Sequence, residues 1–171
     1  MKRRERRRRS GATEAARLLL QILDEAYDRK SWHGTNLRGS LRGVRPSEAA
    51  WRPARGRHNI WELAVHAAYW KYAVTRQLTG EKRGSFRLSG SNWFARPVGA
   101  PTAKAWRDDL AILESEHRRL PEAVATLPPA ALRRRMGRKY LALQLITGAA
   151  MHDVYHAGQI QLLKRLGARR G

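Results

Sequence analysis

The chain has 171 residues, enough for one domain with a buried core, and 35 lysines and arginines against 14 aspartates and glutamates give a net charge of +21. The absence of cysteine excludes a disulfide framework, a thiolate zinc site and a cysteine nucleophile, so any metal must be held by nitrogen and oxygen. No apolar run approaches the roughly 18 residues that span a bilayer, so a cytoplasmic protein with no membrane partner is expected.

The first segment, residues 1–12, reads as a basic, disordered arm: Lys2 to Arg9 carry seven positive charges and one negative. Ser10 to Arg17 is not an apolar core of a signal peptide, so the arm is expected to stay on the protein. Arginine outnumbers lysine 28 to 7, a skew that a GC-rich coding bias produces without any selection for phosphate contacts. Residues 13–171 form the domain.

Thr13 is placed to cap a first helix whose apolar stripe is Ala15, Leu18, Leu19, Ile22, Leu23 and Ala26, ending near Lys30. Glycines then interrupt the pattern, with a short helical segment from Asn36 to Arg42 and a further turn at Ser47 and Glu48. A second helix starts at His58 or Asn59, with Asn59 as cap and Glu62 in the capping-box position. It turns Leu63, His66, Trp70, Ala73 and Leu78 inward and stops before Gly80. From Glu81 to Pro101 the sequence predicts a long loop containing Phe86, Trp93 and Phe94, either anchoring on the core or walling a pocket.

Thr102 caps a third helix carrying Trp106, Leu110, Leu113, His117, Leu120 and Val124 inward, with Pro121 expected to kink or break it. After Pro128, Pro129 and a short segment to Met136 comes the last helix, in the stretch from Arg138 to Gly167, with Gly167 as its C-terminal cap. Its stripe of Leu141, Leu145, Ala149, His152, His156, Ile160 and Leu163 puts two imidazoles on the core-facing side. With no alternating strand pattern, the expected fold is all-α, a four-helix bundle with a long crossover loop.

Residues four apart on a helix stand one above the other, so His152 and His156 can reach a common ion. His66 adds a third inward imidazole from a separate helix. Three imidazoles in an aliphatic core each need a polar partner, and one divalent ion satisfies them all while keeping a coordination position open for water or substrate. Glu62, one turn before His66, is a candidate to orient its ring or act catalytically on a metal-bound water. Tyr155 and Gln159 are candidates for the surroundings of the metal. His117 is read as a core or outer residue, His33 as a pocket-mouth or helix-end residue, and His58 as part of the helix cap. Asp153 receives no role.

HNIWELAVHAAYW around His66, SWHGTNLRGSLRG around His33 and MHDVYHAGQIQLLKR around His152 and His156 resemble the DinB-like (DinB/YfiT) superfamily of metalloproteins. The resemblance spans residues 14 to 167 and implies an up-down-down-up bundle, often homodimeric, with a divalent Zn, Ni, Fe or Mn ion on His66, His152 and His156. It further implies either a transferase that activates a low-molecular-weight thiol or a hydrolase that activates water, acting on a small-molecule substrate. Two other functions fit the residues: a non-catalytic metal or ligand binder, and a nucleic-acid binder using the arm and the Arg133, Arg134, Arg135, Arg138, Lys139 cluster.

Overall fold

The computed structural model describes residues 12–137 and 139–168; the basic arm before Ala12, and Arg138 of the basic cluster, lie outside them. The described chain is all-α apart from one small ladder. Four long helices dominate: α1 (Glu14–Tyr27), α4 (Ile60–Thr79), α5 (Ala103–Ala125) and α6 (Ala142–Ala168). Two short ones, α2 (Leu37–Leu41) and α3 (Pro46–Ala50), lie between α1 and α4, and a 3-10 helix (Pro129–Arg133) follows α5. Among the described residues no helix is long and apolar enough to cross a membrane.

The three expected N-caps form. Thr13 accepts from the Ala16 amide at 3.3 Å, Asn59 from Glu62 at 2.8 Å and Thr102 from Ala105 at 3.2 Å, each satisfying an amide that the first helical turn leaves unpaired. Gly80, at φ 76°, ends α4 in the left-handed conformation that costs a glycine little. α4 packs against α5 and α6, and α1 against α6 and α5, while α2 lies on α6. The core divides into two clusters. One, around Leu37, Trp61, Val65, Trp106, Leu113 and Ile160, lies beneath α2 and α3. The other, around Ala12, Leu23, Leu120, Val124, Leu132, Met136 and Ile146, fills the opposite end.

Several expectations need correction. α1 ends at Tyr27, and its inward face is Ala16, Leu19, Leu20, Leu23, Ala26 and Tyr27; Leu18 (58% exposed) and Ile22 (44%) face out. Apolar residues occur on both sides of this helix, and the polar groups that go in with the buried side are partnered, Tyr27 donating to Glu114 at 3.0 Å and Asp24 pairing with Arg29 at 3.2 Å. Trp70 is 38% exposed rather than inward. α5 runs through Pro121 without a break. The last helix begins only at Ala142, because Arg135–Met136 and Tyr140–Leu141 pair as antiparallel strands β1 and β2. Gly167 lies inside α6 rather than capping it. A side chain there would stand 3.3 Å from the Trp51 ring, so the glycine permits close approach of α6 to the segment after α3. Lys164 secures the same end by donating to the carbonyls of Ser40 and Arg42 at 3.1 and 3.2 Å.

The loop from Glu81 to Pro101 has no regular structure, yet it is anchored. Phe86 and the buried Phe94 pack with Tyr69 and Tyr72 of α4, and Asn59 donates to the Arg96 carbonyl at 2.8 Å. The loop is thereby drawn across the middle of α4, where His66 lies.

Candidate metal centre

α4 supplies His66 and α6 supplies His152 and His156, and the contact between these two helices brings the three rings together. The Nε2 of His152 lies 3.1 Å from that of His66 and 2.9 Å from that of His156. Each residue offers one ligand atom to a group within 4.8 Å of one another. Ions bound by imidazole at about 2.0–2.1 Å hold neighbouring ligand nitrogens near 3 Å apart, so the spacing fits a shared ion.

The other ring nitrogens decide which form each imidazole takes. His66 donates its Nδ1 proton to the Asn92 carbonyl at 2.8 Å, and His156 donates its own to Gln159 Oε1 at 2.6 Å. Both neutral rings therefore carry their Nε2 lone pairs toward the centre. His152 can donate a single Nε2 proton to one of its two neighbours, so at least one inward lone pair is left without a hydrogen. A cation at the centre satisfies every inward nitrogen at once, and so the residues present fit a divalent metal.

Protonation does not resolve it as well. Burial, above all, pushes His66 down to about 4 and His152 down to about 3, and the neighbouring imidazoles push in the same direction. His156 is also lowered by burial, against the opposing hydrogen bond to Gln159. The rings stay neutral at ordinary pH, as metal ligation requires.

Tryptophans close one flank. The ring of Trp93 stacks on His66 at 3.7 Å and on His58 at 3.6 Å, sandwiched between them. Trp70 donates from its indole to Asn92 Oδ1 at 3.0 Å. Asn92 has φ 64°, a left-handed conformation that asparagine tolerates better than most residues, and it is this turn that aims the Asn92 carbonyl at His66. Tyr155 stands beside the site, exposed, with its ring 5.1 Å from that of His156.

Glu62 does not address His66. Its buried carboxylate accepts from Arg52 (2.8 Å to Oε2), from His58 Nδ1 (3.0 Å) and from the Arg96 amide (3.3 Å), with a second Arg52 contact to Oε1. Burial alone would raise it, but these hydrogen bonds hold its carboxyl below the usual range. The carboxylate is thus committed to tying the loop and the start of α4 together, and the expected capping box with Asn59 is only half formed. His58 belongs to this network as well as to the Trp93 stack.

His117 is buried and stacked on Tyr27 at 3.5 Å, in the core and not among the three converging ligands. His33 is exposed in the turn after α1 and is likewise not brought to the triad. Sequence reasoning missed Asn92 as a partner of His66. The only signal was an asparagine directly before Trp93, in a stretch whose path could not be read.

Because Gln159 fixes the form of His156, Gln159→Leu is expected to weaken metal binding about 10- to 100-fold, while Gln159→Glu, which keeps an acceptor, retains most of it. Competition with a chromophoric chelator measures both.

No curated protein and no solved structure matches this chain. The sequence profile of the DinB superfamily matches residues 29–160, a span that contains His66, His152, His156 and both of their fixed hydrogen-bond partners. By that match over more than half its length, the chain belongs to the DinB superfamily.

Proposed function

We propose that the protein is a metal-dependent enzyme, a transferase acting on a low-molecular-weight thiol or a hydrolase acting through water, with its ion held by His66, His152 and His156. The observation that carries this reading is the set of inward lone pairs, two of them fixed by Asn92 and Gln159, on three rings whose ligand atoms lie within 4.8 Å of one another. Zinc, nickel, iron and manganese all suit imidazole, and availability selects among them. When bound, such an ion acts as a Lewis acid that lowers the pKa of a coordinated water or thiol.

The chain's own residues do the rest. Asn92 and Gln159 keep His66 and His156 neutral and aimed. Trp93 shields the outer face of His66 from water. Tyr155 and Trp70 line the approach as partly apolar surfaces suited to a small organic substrate. With no cysteine in the chain, a reacting thiol comes with the substrate or a cosubstrate. The two core clusters support an up-down-down-up bundle, because α4 and α5 start in the first and end in the second whereas α1 and α6 run the other way. The apolar residues left exposed on α6, Met151, Tyr155, Leu162 and Leu166, support pairing of two copies.

The test is elemental analysis of untagged protein purified without added metal, followed by a screen of the loaded protein against electrophile–thiol pairs and against esters and amides. The expected result is about one divalent ion per chain, lost in His156→Ala, and turnover that follows the ion. Metal content unchanged by the substitution overturns the site; full occupancy with no turnover overturns the enzymatic part alone.

A further inference from the structure

The end of the bundle farthest from α2 and α3 carries a feature that the metal site does not use. Leu132 and Met136 are buried in the second core cluster, and the three residues between them, Arg133, Arg134 and Arg135, are all exposed. The two apolar anchors hold the segment down while the arginines project. The backbone is fixed on both sides: the Arg134 amide donates to Ala131 at 3.0 Å and its carbonyl accepts from Ala142 at 3.0 Å. Across the ladder, Lys139 and Tyr140 are exposed too, the tyrosine by 53%.

Among the described residues these cations have no counter-charge. Arg38, Arg45, Arg52 and Arg119 elsewhere each sit on a carboxylate, whereas Arg133, Arg134, Arg135 and Lys139 have no carboxylate partner among the described residues. The sequence holds no aspartate or glutamate between Glu122 and Asp153, and Asp153 is buried against Lys71. The cluster also flanks the start of the 27-residue helix α6, where the helix dipole is itself positive, so helix and side chains repel each other until an anion is present.

We propose that this end of the bundle binds single-stranded nucleic acid. Arg133, Arg134, Arg135 and Lys139 hold phosphodiesters, and Tyr140 offers a ring on which a base stacks. Arginine's planar fork matches phosphate geometry, and an exposed aromatic beside a cationic track is the combination that binds unpaired strands without reading sequence. A bilayer is the poorer fit, because Leu132 and Met136, which flank the arginines, are turned into the core, leaving only Tyr140 and Leu143, 53% and 40% exposed, as large apolar side chains to insert. The surface lies about 15 Å along α6 from His152, counting ten residues at the helical rise, so it works apart from the metal.

The test is fluorescence anisotropy of the full-length chain with a labelled mixed-sequence oligonucleotide of about 20 nucleotides, titrated at several salt concentrations. The expected result is tight binding at low salt that weakens linearly on a log–log plot. Replacing Arg133, Arg134, Arg135 and Lys139 together with glutamine is expected to reduce the slope by about 3, at about 0.7 for each phosphate no longer neutralised. Tyr140→Ala is expected to lower affinity about 5- to 100-fold with the slope unchanged, and Tyr140→Phe to restore it. Unchanged urea midpoints show that the variants are folded. The proposal is overturned by an absence of binding at low salt. It is equally overturned if the fourfold variant keeps its affinity and slope while removal of residues 2–9 abolishes binding, since the arm then acts alone. Vesicles rich in phosphatidylserine bound through Tyr140 and Leu143, with the oligonucleotide ignored, also overturn it.

Discussion

Lys71→Met is expected to destabilise the protein by about 3–5 kcal/mol, one of the two largest effects available to a single substitution here. Lys71 on α4 and Asp153 on α6 are each 1% exposed and form an ion pair through Nζ and Oδ2. The ammonium also stands over the Tyr27 ring, 5.0 Å from its centroid, so one buried cation links α1, α4 and α6. Burial pushes the Asp153 carboxyl up to about 6 despite the attraction of Lys71. Without the lysine, that carboxyl must be buried charged and unpaired or take up a proton, and either outcome costs stability at neutral pH. In a chain of this size each kcal/mol moves the melting temperature by about 2–4 °C, so a fall of about 10 °C is expected in a thermal scan. The loss should shrink as pH drops below the carboxyl's raised pKa. Lys71→Met with Asp153→Leu should recover most of the stability, because a buried pair replaced by apolar groups of similar volume is often neutral. A double variant as unstable as the single one would contradict the assignment of the loss to an orphaned charge.

That pair shows what sequence reasoning misses. Lys71 and Asp153 are 82 residues apart, and each has an ordinary surface reading: a lysine in an aromatic helix, an aspartate beside a metal ligand. Nothing local marks them as partners, and only the packing of α4 on α6 does. The caps at Thr13, Asn59 and Thr102 are legible because capping is a contact within three residues. The inward face of α1 lies about one position from the expected one because Leu18 and Ile22 add apolar positions to its outer side, so that the stripe can be drawn one place out of register. The hairpin of β1 and β2 is invisible in the sequence, since two residues per strand are too few to alternate.

The three ligands are legible for a different reason. His152 and His156 share a helical face by spacing alone, and His66 falls on the inward stripe of α4, so periodicity is enough to suggest convergence. Their hydrogen-bond partners divide cleanly. Gln159 lies three residues from His156, within reach of the same helical argument. Asn92 reaches His66 across 26 residues of chain through a left-handed loop residue, and no periodicity describes that. Glu62 lies one turn from His66, which makes it a candidate for that ring, but Arg52, ten residues upstream, takes its carboxylate instead.

His152→Leu is expected to lose metal binding by more than the 10- to 100-fold that follows removal of an outer partner, and at the same time to stabilise the metal-free fold in mild acid. The sign follows from the folded pKa values, which lie below the roughly 6.5 of an unfolded histidine. His66 is lowered to about 4 and His152 to about 3, chiefly by burial, and His156 is lowered as well. The unfolded chain therefore binds more protons than the folded one below about pH 6.5, and metal-free stability must fall as pH falls toward the folded values. At pH 5 the loss is about 1–2 kcal/mol for each of His66 and His152, allowing for partial screening by solvent. Leucine carries no proton and buries its side chain, so it removes the share due to His152. Urea unfolding of chelator-treated protein at pH 7.5 and pH 5 should show the native protein losing more stability on acidification than the variant. At pH 7.5 with saturating metal the order reverses, because ligand binding stabilises only the protein that can bind it. A residue that weakens the empty fold and strengthens the loaded one is selected for the ion. If His152→Leu were less stable than the native chain under both conditions, the ring would be a packing element of the core and the case for a metal would rest on His66 and His156 alone.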